Sequence, residues 1–258
     1  RLAVETLSAR PGTPFSVGLV LTLEPGWHTY WRNPGDSGSE AILEWGLSPG
    51  LTAGPVLWPR PERVPYPPLM SYAYHGTVML LTEVAVAPDV PTGSTVRLDL
   101  RASWLVCQEI CLPADTVLTA ELAVADALPD PDPAWAPLFA GTRALLPVQD
   151  PEWSARALAT PAGYTLEITA PRGWRDRTAK LYFFALDPTA VDHVKPQAPA
   201  WEERVLRLEL ARSPYNTGPA SLDGVLVRMD SGGFGDAAGR SSAAGAGDAP
   251  PVRPALAL

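Results

Sequence analysis

The sequence predicts an all-β protein: two immunoglobulin-like β-sandwich domains joined by a Pro-rich linker and a short helix, with a disordered C-terminal tail. Three observations carry that expectation. The 30 prolines among 258 residues are about twice the usual share, and proline both removes a backbone donor and clashes inside a helix. Apolar residues alternate over several strand-length stretches. Between those stretches lie Pro- and Gly-marked connections, which suit short strands and exclude a helical bundle or a βαβ sheet.

Taken in order, the first strand is marked by Phe15, Val17, Leu19, Leu21 and Leu23 on one face, with Ser16, Gly18 and Thr22 on the other. Similar alternation runs over Thr77–Ala87, over Thr95–Ala102 through Val96, Leu98 and Leu100, and over Thr116–Val124. The Pro-rich stretch Pro55–Pro68 reads as a connection. Residues 1–127 thus form a first sandwich of immunoglobulin-like size. A linker begins at Leu128–Pro133, and Ala134–Leu146 has the apolar stripe of a short packing helix through Trp135, Leu138, Phe139 and Leu145. Residues 147–230 read as a second sandwich with strands at Tyr164–Ala170, Ala179–Leu186, Val205–Ala211 and Gly224–Met229. Residues 231–258 are rich in Gly, Ala and Ser and read as a disordered tail or linker.

Composition removes several function classes. A net charge of -8 with 19% charged residues gives none of the basic surface that a nucleic-acid binder needs. No run of about 18 uncharged apolar residues is present, so no transmembrane helix is expected. The longest candidate, Thr77 to Pro88, is short and carries Glu83. The chain opens at Arg1 without a hydrophobic leader, as a processed or trimmed product would.

Both cysteines fall in Trp104-Leu-Val-Cys107-Gln-Glu-Ile-Cys111-Leu-Pro113. Four residues of extended strand span about 13 Å, whereas bridged cysteines need Cα atoms about 4.4–6.8 Å apart. A bridge therefore requires a turn at Gln108–Ile110. Closing so small a loop removes little unfolded-state entropy, on the order of 2 kcal/mol against about 4.7 for a 100-residue loop. A small constrained ring is better suited to opening and closing. Spacing alone leaves redox-active, structural and metal-binding readings open. Zinc would need two further ligands, and His28, His75 and His193 show no ligand spacing. Copper(I) accepts two thiolates. Cys107 ends an apolar run and should face the core, while Cys111 leaves the turn and should lie nearer the surface.

The blocks Pro25-Gly-Trp-His-Thr-Tyr-Trp-Arg-Asn-Pro-Gly-Asp-Ser-Gly38, Leu57-Trp-Pro-Arg-Pro61, Tyr72-Ala-Tyr-His-Gly76 and Trp104–Pro113 resemble the DsbD family. The likeness is to the N-terminal periplasmic domain of thiol:disulfide interchange proteins, in the ScsB-like branch, and covers roughly residues 10 to 125. It implies an extracytoplasmic, immunoglobulin-like domain that takes electrons from a membrane-embedded donor or a thioredoxin-like domain and reduces client oxidoreductases. It implies that Cys107 and Cys111 are the redox pair, that Cys111 attacks, and that no other cofactor is needed. A flexible cap loop is implied at Tyr66–Tyr74, with Met70, Tyr72 and Tyr74 as its candidates. The branch raises Cu(I) binding and copper tolerance, with Met70 as an added ligand, although no Met- or His-rich run is present. Two departures stand out. Enterobacterial relatives separate their cysteines by five residues rather than three, and the chain holds neither a membrane domain nor a thioredoxin-like domain. A fragment of a larger reductase, or a carrier working with partners in trans, is therefore expected.

For the remaining motif residues the packing explanation has first claim. Trp27, Tyr30 and Trp31 are expected in the core, Gly35 and Gly38 in turns, His28 in a structural hydrogen bond and Glu109 in solvent.

Overall fold

A computed structural model describes residues 1–176, 178–216, 218, 221–229 and the backbone of 255–256. The chain forms two compact units. The first takes Arg1–Trp31, Ser39–Pro59 and Tyr74–Leu146; the second takes Arg32–Gly38, Arg60–Ala73 and Pro147–Leu258.

In the first unit, one antiparallel sheet has the order β1 (Leu2–Val4), β2 (Phe15–Thr22), β8 (Thr77–Val86), β5 (Leu51–Leu57). A second sheet carries β10 (Cys111–Ala123), β9 (Thr95–Cys107), β3 (His28–Gly35, of which Arg32–Gly35 count with the second unit) and β7 (Leu69–His75, of which Leu69–Ala73 count with the second unit) in that order, and β4 (Ile42–Leu47) also pairs with β9. Phe15, Val17, Val84 and Val86 from one sheet pack on Val96, Leu98 and Leu122 from the other. The expected strands are all present, and β9 and β10 extend further, up to the cysteines. The Pro55–Pro68 stretch holds more structure than a connection. Pro55 lies in β5 where the register with β8 shifts between Ala53 and Val56, a place where a missing donor is tolerated.

β2 is buried on both faces. Val20 joins Met79, Leu81 and Phe139 in a second apolar cluster, and a Cβ on Gly18 would lie only 2.6 Å from Met79 Cγ. The helix α1 (Ala136–Arg143) supplies that cover, with a proline in its first turn, where its missing donor costs nothing. Trp135, Leu138 and Phe139 pack as expected, but Leu146 rather than Leu145 completes the stripe. Helical periodicity stops at Arg143, so Leu145 no longer follows it.

In the second unit, β11 (Ser154–Thr160), β12 (Gly163–Thr169), β15 (Val205–Ala211) and β14 (Pro199–Glu202) form one antiparallel sheet. β13 (Leu181–Ala185) and β16 (Gly224–Arg228) form another, and the backbone of β17 (Ala255–Leu256) pairs with β16. The rest of the expected tail over 231–258 lies outside the described residues. Leu166, Ile168, Leu206 and Leu208 meet Phe183 and Leu226 in the core. Two stretches of the first expected block also belong to this unit. The Asn33 amide donates to the Ala185 carbonyl at 2.8 Å, Asp36 lies 2.9 Å from His193 Nδ1, and the Tyr72 and Tyr182 hydroxyls are 3.0 Å apart. β6 (Glu62–Tyr66) pairs with β7 here. Gly35 has φ +83°, and a Cβ there would lie 2.3 Å from the Met70 carbonyl oxygen, so the expected turn glycine is required by both backbone and space.

Candidate functional site

β9 and β10 form a long antiparallel ribbon whose last pair is Cys107 and Cys111. The two are joined by a disulfide with Cα atoms 4.1 Å apart. Gln108–Ile110 make the turn that the spacing demanded, and the Gln108 N–H donates to the Ile110 carbonyl at 3.1 Å. Cys107 is 2% exposed, whereas Cys111 is an exposed residue. One cysteine of the pair is an exposed residue and the other is shielded.

β3 lies on the far side of β9. His28 is the direct partner of Cys107 across these strands, and the Thr29 hydroxyl donates to the Leu105 carbonyl at 2.9 Å. Tyr30, two residues beyond His28, projects from the same face. Its hydroxyl lies 3.5 Å from Cys111 Sγ. A disulfide sulfur carries no proton, so the phenol is the donor. The His28 ring meets Tyr30 edge-on at 5.3 Å and His75 at 5.8 Å. Burial, with His75 second, holds the His28 imidazole below its ordinary pKa, which favours the neutral ring at neutral pH.

Around the ring the surface is partly apolar: Ile110 is 65% exposed and Leu112 43%. Gly26 takes φ +84°, and a Cβ there would lie 3.0 Å from Gln108 Nε2. Glycine thus lets the Pro25–Gly26 turn approach the cysteine turn. An accessible disulfide sulfur, a hydrogen-bond donor on it and a buried partner sulfur can support exchange with an external thiol.

The family model for the N-terminal domain of thiol:disulfide interchange protein DsbD matches residues 2–123. These residues are a DsbD N-terminal domain. The N-terminal periplasmic domain of ScsB from Proteus mirabilis shares the fold, with a TM-score of 0.59 at 15% identity over 88% of this chain and 87% of that one. No curated protein matches the chain. The DsbD-type domain is thus a thiol–disulfide exchange module in general class, and both cysteines of the chain, Cys107 and Cys111, fall within it.

The other residues singled out from the DsbD-like blocks are distributed differently. Met70, Tyr72 and Tyr74 stand in β7, 8%, 0% and 0% exposed, within a hairpin rather than a loop. Tyr72 packs on Tyr182, Phe184 and His193. The Tyr74 hydroxyl donates to the Pro59 carbonyl at 2.7 Å, and burial keeps that phenol protonated well above its usual range. The exposed residues of the stretch are at its tip, including Tyr66 and Leu69. Trp31 is core as expected, and Glu109 faces solvent. Tyr30 is 2% exposed, but its hydroxyl belongs to the site. The meeting of His28 with His75 was not legible in the sequence, because only strand register brings residues 47 apart into one row. Among the described residues, no group of three or more His, Cys, Asp and Glu side chains is arranged to hold a metal ion. No described helix is long and apolar enough to cross a membrane.

Proposed function

We propose that the chain works outside the cytoplasm as a dithiol–disulfide carrier, taking electrons from a membrane-embedded reductase or a thioredoxin-like donor and passing them to client oxidoreductases. The burial asymmetry of the two sulfurs carries this reading. In the oxidised state a donor thiolate attacks exposed Cys111, forming a mixed disulfide and releasing Cys107 as the leaving thiolate. In the reverse sense the Cys111 thiolate attacks a client disulfide, and Cys107 then attacks Cys111 Sγ, closes the ring and expels the reduced client. Two electrons move in each cycle and the cysteines are the only redox groups used.

The cap role carried over by resemblance to Tyr66–Tyr74, with Met70, Tyr72 and Tyr74 as its candidates, is retained as part of this reading. The likeness to the ScsB domain supports an extracytoplasmic setting, as does the DsbD N-terminal family.

Trapping tests the assignment. Cys107→Ala, incubated with an oxidised thioredoxin-like protein, should accumulate a mixed disulfide through Cys111, while Cys111→Ala should accumulate little. Mass spectrometry of both variants reads the result directly. Equal trapping, or a preference for Cys107, reverses the roles. A reduction potential well below about -300 mV in glutathione or dithiothreitol buffers, the range of inert structural bridges, removes exchange altogether.

A further inference from the structure

One more titratable residue, His28, is the direct cross-strand partner of a reacting cysteine. His28 and Cys107 are paired directly across β3 and β9, and such pairs project to one face with Cβ atoms about 4.5–5.5 Å apart. Cys111 follows Cys107 on the β10 side, and β7 lies on the other side of β3, with the His75 ring 5.8 Å from that of His28. Cys111, Cys107, His28 and His75 therefore form one row across neighbouring strands, assembled from three separate motif blocks.

We propose that His28 is the proton acceptor for Cys107 during ring closure, and that His75 passes the proton on toward solvent. This rests on the exchange reading above and adds to it a catalytic base. Cys107 is 2% exposed, and burial disfavours a thiolate. Resolution of the mixed disulfide nevertheless requires one. The Cys107 proton moves to the bare ring nitrogen of His28, the Cys107 thiolate attacks Cys111 Sγ, and the Cys111–partner disulfide breaks. The partner leaves as a thiolate and is reprotonated from solvent, while His75 takes the proton from His28. In the opposite direction protonated His28 returns a proton to Cys107 as it leaves.

The row meets the demands of a base. Both histidines are only partly buried, so the proton has an exit. Burial and His75 keep His28 in the neutral form that can accept. The titratable groups around it are Tyr30 on its own strand, His75 on β7, Cys107 on β9 and Cys111 on β10, with Glu109 exposed in the turn. Among the described residues no carboxylate forms an ion pair with His28, so nothing holds the imidazole in its charged, non-accepting form.

The test follows the reduced full chain as it reacts with the chromogenic disulfide dithiobis-nitrobenzoate. Attack by Cys111 releases a first chromophore, and ring closure by Cys107 releases a second. His28→Gln should slow the second release about 10²-fold at neutral pH, the usual scale of general-base catalysis. The gap should close at alkaline pH, where the thiol ionises unaided, and free imidazole should restore part of the rate to His28→Ala. An unchanged second release, or one slowed by the same factor at every pH, overturns the proposal. Should neither variant fold, the wild-type second release decides: an inflection in the imidazole range, near or below about pH 6.5, supports it, and a single inflection in the thiol range overturns it. A first release that survives Cys111→Ala but is lost in Cys107→Ala instead refutes the exchange roles themselves, and the proton acceptor with them.

Discussion

Replacing Tyr30 by Phe removes one oxygen, 3.5 Å from Cys111 Sγ, and little else. In the reduced protein that hydroxyl can donate to the Cys111 thiolate. Hydrogen bonds to charged groups contribute roughly 1.5–3 kcal/mol, and about 1.4 kcal/mol corresponds to one pKa unit. The lower end of that range is appropriate because Cys111 is exposed and water replaces the lost donor in part. Tyr30→Phe should therefore raise the Cys111 pKa by about one unit. Well below that pKa the thiolate fraction falls about tenfold. A more basic thiolate is also a better nucleophile by about 2.5- to 3-fold, with a Brønsted coefficient of roughly 0.4–0.5. Net attack at acid to neutral pH should slow about three- to fourfold, and above both pKa values the variant should be about threefold faster. Alkylation by iodoacetamide in a Cys107→Ala background, followed by mass spectrometry across pH, isolates Cys111. Crossing rate curves are the signature. Superimposable profiles, or a variant slower by one factor throughout, refute the phenol–thiolate bond.

Two further outcomes concern the frame around the site. Phe139→Ala in α1 empties a position that is 0% exposed and should cost about 3–5 kcal/mol by denaturant unfolding; a loss under about 1 kcal/mol would mean that α1 is not needed to cover Val20 and Met79. Arg143 forms an ion pair with Glu5, and its hydrogen bonds, more than its charge, hold the Glu5 carboxyl below its usual range. A depressed carboxylate pKa stabilises the fold above the unfolded-state value and loses that contribution as pH falls through the folded-state value. Because the pair is partly exposed, Arg143→Met should cost only about 0.2–1 kcal/mol at neutral pH. The difference from wild type should vanish in acid, and unfolding curves that stay parallel down to low pH would contradict the pairing.

Much of the first sandwich was legible because its strands are half-buried and alternate. Val96, Leu98, Leu100 and Ala102 are buried on β9 while Arg97 and Arg101 are exposed, which is the period-two pattern in its plain form. Strands that break the pattern were harder. β6 and β7 fall in and beside a proline-rich stretch, and β7 is buried at successive positions from Met70 to Tyr74, so alternation gives no signal. The cysteine turn was legible from chain geometry alone, since no extended path can bridge residues four apart. Asn33 and Asp36 were legible as motif residues but not as partners of Ala185 and His193, because contacts more than 150 residues apart leave no local pattern.

The same β9 pattern explains why the site lies at one end of the ribbon. Along most of β9 the face carrying Arg97, Asp99 and Arg101 is polar, and Arg97, Asp99, Thr119 and Glu121 bond to one another there. Cys107 lies on that same face by strand alternation, yet it is almost wholly buried. What changes along the strand is its neighbour: β4 flanks Leu98–Ser103, while His28 of β3 flanks Cys107. The aromatic and imidazole side chains of β3 can cover the sulfur, which the Ile42 and Glu44 side chains of β4 do not do for Ser103 and Arg101. Across the ribbon, among the described residues, no further strand lies beyond Cys111, and β10 is the sheet edge. An edge strand on one side and a His–Tyr strand on the other therefore leave one exposed and one buried cysteine from two in direct register. Moving the pair two rungs along the ribbon, to the next same-face pair Leu105 and Pro113, would take it away from its facing partner His28 and out of the tight turn that closes the ring.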